Sequence, residues 1–125
     1  MSELQDYIEA KQVFGEEICQ RIAEAIVKLG FASEHHILAP QFNDAQFSLT
    51  VDPYSQSQDL IGFWYGSHKQ RIGQIKFHGD GSFYAEYDVV KPHPVKPQFF
   101  VEAIHAWGRQ EAIKTEAKLL DIPKG

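Results

Sequence analysis

The chain has 125 residues, of which 43% are hydrophobic and 23% are charged, and its formal net charge at pH 7 is −5. This length and composition are typical of one globular domain that can bury its own core. The negative charge disfavours general attraction to nucleic-acid phosphates, and no apolar run is long enough to span a membrane. A single cysteine, Cys19, excludes an internal disulfide.

The beginning of the sequence has neither the basic segment nor the apolar segment of a signal peptide. Together with the single cysteine, this predicts a cytoplasmic location without a membrane anchor. We find no internal repeat and no change of composition that would indicate a linker. Residues 1–125 are therefore predicted to form one domain.

Residues 2–30 are predicted to be helical. Ser2 suits the N-cap, and Gly30 suits the position just after the C-terminus. Glycine inside a helix is unfavourable, so we expect either one helix that is kinked at Gly15 or two helices. The apolar face is indicated by residues that recur every three or four positions: Phe14, Ile18, Ile22, Ile26 and Leu29.

The middle of the chain is predicted to form about four strands with short connections, which favour an antiparallel meander. The connection Gly79–Gly81 decides how the last two strands pair. A three-residue loop pairs residue 77 with residue 83 and separates apolar from polar side chains, whereas a two-residue turn mixes them. We therefore predict the three-residue loop. The strands are expected at residues 46–52, 59–66, 71–78 and 82–90.

The residues after Pro97 are predicted to form one or two helices packed on the sheet. Proline suits the first position of a helix, and the segment "KPHPVKP" (91–97) is interpreted as a stiff connector that ends the preceding strand. The fold class is thus α+β: an N-terminal helix, a meander of about four strands and one or two C-terminal helices. Two helical stripes carry this prediction: Phe99, Phe100, Ala103, Ile104 and Trp107, then Ile113, Ala117 and Leu120.

The segment "GFWYGSHKQRIGQIKFH" (62–78) combines aromatic with basic residues. With a four-residue loop at 67–70, Trp64 lies opposite Gly73, and Phe63 and Tyr65 lie on the polar face; a five-residue loop reverses this. If no helix covers that face, an aromatic surface with a polar rim is typical of a binding site. The predicted binding surface consists of Phe63, Trp64, Tyr65, Lys69, Arg71, Lys76 and Tyr84.

This surface predicts a small non-catalytic binding or accessory protein that contacts a protein partner or a second copy of itself. Two alternatives stay open. The aromatic residues could stack on the bases of single-stranded nucleic acid, which the net charge disfavours. An enzyme or a metal-binding protein would use the polar residues of the last two predicted strands and the connector: His78, Glu86, Asp88 and His93.

No motif supports the enzyme or the metal site strongly. Cys19 lies on the apolar side of the predicted helix, where a thiol is inert. Zinc ligands normally occur in pairs at short spacing, and the sequence has no such pair. We therefore expect no cofactor, and only His78 and His93 remain as weak candidates for binding a metal.

Overall fold

A computed structural model describes residues 2–35, 37–51, 53–54 and 56–122. Two helices precede six strands, and the strands form one antiparallel sheet in sequential order, so the class is α+β. No helix in this part of the chain is long and apolar enough to cross a membrane. The elements are α1 (Glu3–Ala10), α2 (Gln12–Lys28), β1 (Gln46–Val51), β2 (Gln58–Tyr65), β3 (Arg71–Phe77), β4 (Phe83–Pro92), β5 (Phe99–Arg109) and β6 (Ala112–Asp121).

The core lies between α2 and one face of the sheet. Ile18 and Ile22 of α2 are completely buried. The ring of Phe14 packs edge-on against Phe77 and Phe83, with centroids 5.5 and 5.2 Å apart, a favourable geometry for aromatic pairs. The predicted apolar face of the helix is confirmed.

The ends of the helical segment agree with the prediction, but its interruption does not. The Ser2 hydroxyl accepts a hydrogen bond from the backbone N–H of Gln5 at 3.1 Å, and Gly30 has φ +102°. The break falls at Lys11, so two helices form and the kink expected at Gly15 is wrong. Gly15 stays helical, and a Cβ there would overlap the ring of Phe42.

The central strands pair as predicted. Phe77 lies opposite Phe83, and the turn between them is closed by a hydrogen bond from Gly81 N–H to the carbonyl of His78 at 3.1 Å. Trp64 lies opposite Gly73. Both registers follow from keeping apolar residues on the face that α2 covers.

The prediction of C-terminal helices is wrong, and the sheet has six strands rather than about four. Residues after Pro97 form β5 and β6, joined by a turn at Gln110–Glu111. The helical spacing arose because β5 bulges between Val101 and Ala103, which interrupts simple alternation. Gly108, with φ +118°, allows the close approach of the Ala112 carbonyl in this hairpin.

The segment 91–97 connects two strands instead of a strand and a helix. β4 continues to Pro92, and the N–H of His93 donates to the carbonyl of Phe99 at 2.9 Å. The His93 ring then organises the turn, since its Nδ1 accepts from the N–H groups of Val95 and Lys96 at 3.1 and 3.0 Å. Pro97 lies in this turn and starts no helix.

This topology leaves the two faces of the sheet unequal. Both described α-helices precede β1 in the chain, and α2 packs on the face that contains Phe77 and Phe83. The other described helices are two short 3₁₀ turns, Ser33–His35 and Phe42–Asp44, which also precede β1, and no described α-helix covers the opposite face. We call this opposite face, which carries Phe63, Tyr84 and His105, the open face.

We predict that Gly15→Ala lowers the free energy of unfolding by about 1–3 kcal/mol, the usual cost of overpacking. Alanine normally stabilises a helix relative to glycine, but here its Cβ would overlap the Phe42 ring. Urea denaturation followed by circular dichroism measures the change. Gln20→Ala at an exposed position of α2 is the matched control. Unchanged or increased stability of Gly15→Ala would contradict the packing.

Candidate functional site: the open face of the sheet

The open face begins with a row of aromatic and basic residues on β2 and β3. The Arg71 guanidinium lies 3.9 Å from the centroid of the Phe63 ring, in cation–π contact. The Tyr65 ring follows at 6.5 Å from Phe63 and is 40% exposed. Arg71 therefore covers part of an aromatic surface and remains exposed itself.

Lys76 and His78, farther along β3 and its turn, interact with a buried carboxylate. Asp59 is only 1% exposed, and its Oδ2 lies 3.7 Å from Lys76 Nζ and 3.6 Å from His78 Nδ1. Its Oδ1 accepts from the N–H of Gly79 at 3.2 Å and from the Ser57 hydroxyl at 3.4 Å. A buried carboxylate needs such partners, so Lys76 and His78 stabilise the fold as well as lining the surface.

A depression of about 250 Å³ lies across β4, β5 and β6 on the open face. We call it the Tyr84 pocket. Trp107 lies opposite Tyr84 in the sheet and supplies a second aromatic wall. At the outer rim, Lys118 Nζ lies 3.1 Å from Glu102 Oε2. The lining residues are Tyr84, His105, Trp107, Glu116 and Lys118.

A polar chain runs from the Tyr84 pocket into the sheet. The Tyr84 hydroxyl lies 2.6 Å from His105 Nδ1, and His105 Nε2 lies 3.8 Å from Glu86 Oε1. The buried Nε2 has no hydrogen-bond partner among the described residues. We assign the proton to Nε2, where the Glu86 carboxylate attracts it, so that Nδ1 accepts from the hydroxyl.

Burial and negative charge shift two pKa values around this chain. Burial, with a smaller contribution from Glu86, raises the pKa of Tyr84, so its hydroxyl remains protonated at neutral pH. Burial also raises the pKa of Asp88, and repulsion from Glu86 and Glu102 adds to it, while His105 opposes it. The polar side chains here are therefore held in a partly desolvated environment.

A larger depression of about 330 Å³ lies beside α1, between Tyr7, Lys11 and the turn after β3. Its polar groups already have partners: the Tyr7 hydroxyl donates to Gln58 Oε1 at 3.2 Å, and His78 interacts with Asp59. The Tyr84 pocket differs in its lining, which combines the aromatic rings of Tyr84 and Trp107 with the imidazole of His105 and the opposite charges of Glu116 and Lys118.

The predicted binding residues divide between the open face and other places. Phe63, Tyr65, Lys76 and Tyr84 lie on the open face, and the Arg71 guanidinium covers Phe63 there. Trp64 does not reach it, because it is 3% exposed and its indole N–H donates to the Gln41 carbonyl at 2.8 Å. Lys69 is exposed in the loop between β2 and β3.

The predicted polar group of His78, Glu86, Asp88 and His93 is divided by the structure. His78 interacts with Asp59, and His93 caps its own turn. His105, which lies in the segment predicted to be helical, is the histidine beside Glu86. No group of three or more His, Cys, Asp or Glu residues in the described chain is arranged to hold a metal ion.

Four residues that line the Tyr84 pocket were not predicted from the sequence: His105, Trp107, Glu116 and Lys118. Once these segments are read as strands, a spacing of two puts His105 and Trp107 on one face, and likewise Glu116 and Lys118. Cys19 fits the expectation of an inert thiol, since burial, with Glu16 contributing, raises its pKa to about 12.

Comparison with known proteins assigns no family to this chain. No family model, no curated protein and no solved structure matches it. The function therefore has to be inferred from the chemistry of the site.

We predict that Asp88→Asn stabilises the protein at pH 7 by less than about 1 kcal/mol, because the group is partly solvated. A carboxyl whose pKa is raised by folding favours the folded state only while it is protonated. The gain should therefore shrink as the pH falls and vanish below about pH 3, where Asp88 is neutral in both states. Urea denaturation at pH 7 and at the lower pH measures the change in the free energy of unfolding. Asp121→Asn, at an exposed position, is the control. Destabilisation at pH 7 would contradict this environment.

Proposed function

We propose that the protein is a non-catalytic binding protein that holds a protein partner on its open face. One observation carries the proposal: aromatic side chains on β2, β4 and β5 lie on a sheet face that no described helix covers. Uncovered aromatic surface with a polar rim is the usual composition of a protein interface. These side chains are Phe63, Tyr65, Tyr84 and Trp107.

The Tyr84 pocket supports this proposal because interfaces depend on a few anchors that enter pockets. Trp107 and Tyr84 provide apolar walls. The Tyr84 hydroxyl, His105 and Lys118 provide hydrogen-bonding groups that can orient an inserted side chain. Lys118 and Glu116 carry opposite charges at the rim, so a neutral, aromatic anchor is the best complement.

At the other end of the open face, basic residues can orient the partner through ion pairs. Arg71 and Lys69 are exposed and can pair with carboxylates of the partner. Lys76 contributes less, because its ammonium group lies beside the buried Asp59. The expected partner therefore presents an aromatic residue to the Tyr84 pocket and acidic residues to the β2–β3 loop.

Single-stranded nucleic acid fits this face less well than a protein. Glu86 and Asp88 lie on it beside Tyr84 and His105, and Glu116 lines the pocket. Carboxylates at this position repel phosphate groups, and the chain as a whole carries a net charge of −5.

We predict that a photo-crosslinking amino acid at Tyr65 forms a defined adduct with one protein in native cells, because Tyr65 lies on the proposed interface. The matched control is the same amino acid at Val13, which is 64% exposed on α2. Mass spectrometry identifies the adduct.

The double variant Arg71→Glu, Trp107→Ala should lower the adduct yield at least about tenfold, because it removes one charged contact and one anchor. Its melting curve must match that of the wild type. An adduct that forms equally from Val13, or that persists in a folded double variant, would overturn the proposal.

A second function, acid–base catalysis, is favoured by the chain Glu86–His105–Tyr84. Carboxylate, imidazole and hydroxyl follow one another in the order used to activate a hydroxyl nucleophile or proton donor. The raised pKa of Tyr84 keeps the phenol protonated at rest, so His105 would have to accept its proton as the oxygen reacts.

We predict for this second function that an aryl sulfonyl fluoride modifies Tyr84 faster than the exposed Tyr65. The phenol oxygen attacks sulfur, fluoride leaves, and His105 accepts the proton. His105→Gln should remove the difference, with peptide mass spectrometry as the readout. Equal rates at the two tyrosines in the wild type would reject activation of Tyr84.

A further inference from the structure

β6 forms one edge of the six-stranded sheet. It is ten residues long, and no described strand pairs with its outer side. An edge strand of this length leaves alternate backbone N–H and C=O groups available for another strand. The opposite edge, β1, is shorter, with six residues, and carries no charged side chain.

The charges on β6 alternate in sign. Lys114, Glu116 and Lys118 have a spacing of two and lie opposite Trp107, His105 and Ala103, respectively, so they share the open face. Lys118 is already paired with Glu102 at 3.1 Å. Lys114 and Glu116 form no ion pair with any other residue that the structure describes.

This pattern is complementary to itself in one register. Two copies of an edge strand pair antiparallel about a two-fold axis perpendicular to the sheet, and a residue on the axis meets its own copy. With Thr115 on the axis, each Lys114 faces Glu116 of the partner subunit, and Ile113 faces the partner's Ala117. With Glu116 on the axis, carboxylate faces carboxylate and Lys114 faces the partner's Lys118.

A third register, with Ala117 on the axis, also brings opposite charges together, because Glu116 of one copy then faces Lys118 of the partner subunit. It uses a lysine that Glu102 already holds, and it places Ile113 opposite the partner's Asp121. The register on Thr115 instead pairs the two charges that have no ion-pair partner in the described chain, and it pairs apolar with apolar residues.

We propose that β6 pairs with β6 of a second copy of this chain, centred on Thr115. The dimer then has one continuous sheet with six strands from each copy. Lys114 of the partner subunit lies beside Glu116 at the rim of the Tyr84 pocket, so each copy adds a positive charge to the other's site. This contact goes beyond the proposed function, since it uses the edge of the sheet and leaves the open face accessible.

Lysines often protect edge strands from pairing, but this strand alternates lysine with glutamate, and a second copy matches both. A contact limited to residues 112–118 of each strand is small for a permanent dimer. We therefore expect a reversible equilibrium in which the dimer fraction increases with concentration over the micromolar to millimolar range.

Sedimentation velocity over this range, at low and at high salt, tests the proposal. Lys114→Glu and Glu116→Lys should each raise the dissociation constant at least about tenfold, because each creates two like-charge contacts. The double variant Lys114→Glu, Glu116→Lys restores opposite charges and should recover the dimer. Lys96→Glu, at an exposed position of the turn between β4 and β5, is the matched control.

Several outcomes would overturn the proposal. A wild type that stays monomeric over the whole range rejects the contact. A double variant that remains as weak as the single variants rejects the facing charges. A dimer that Lys118→Glu disrupts and Lys114→Glu does not would reject the register on Thr115. None of these results affects the crosslinking test at Tyr65, which lies on β2 and not at this edge.

Discussion

The packing of α2 on the sheet is the constraint on which the rest of the structure depends. Phe14 meets Phe77 and Phe83 at ring distances of 5.5 and 5.2 Å, and this contact decides which face of β3 and β4 is buried. Because side chains alternate along a strand, the choice for one face determines the other. Tyr84 and His105 are directed to the open face for this reason, and the proposed binding site follows from the same packing.

The open face is built from residues that also stabilise the sheet. Asp59 is nearly inaccessible, and its Oδ2 lies 3.7 Å from the Lys76 ammonium and 3.6 Å from the His78 ring. The Tyr84 pocket, by contrast, is a depression on the open face whose walls are the aromatic rings of Tyr84 and Trp107. Asp59 and its neighbours therefore hold the fold, whereas the residues that line the pocket lie where a partner can reach them.

The fold could be predicted from sequence where one periodicity dominates. The stripe of α2 and the register of β3 with β4 were both predicted correctly, because burying one face allows few solutions. β5 and β6 were predicted as helices. A bulge at Val101–Ala103 interrupts the alternation of β5, and the edge strand β6 is too exposed to show an apolar face. Because of this error, His105 and Trp107 were not predicted as residues of the site.

The sequence by itself determined the amphipathic helical segment, the β3–β4 hairpin and the presence of aromatic and basic residues on one strand pair. Those features depend on contacts between near neighbours in the chain, which leave a local pattern. Only the tertiary structure decided that both described helices precede the sheet, that one face stays open, and that His105 rather than His78 or His93 lies beside Glu86. These depend on pairing between distant segments, for which the free energy comes from packing across the sheet and not from local preference.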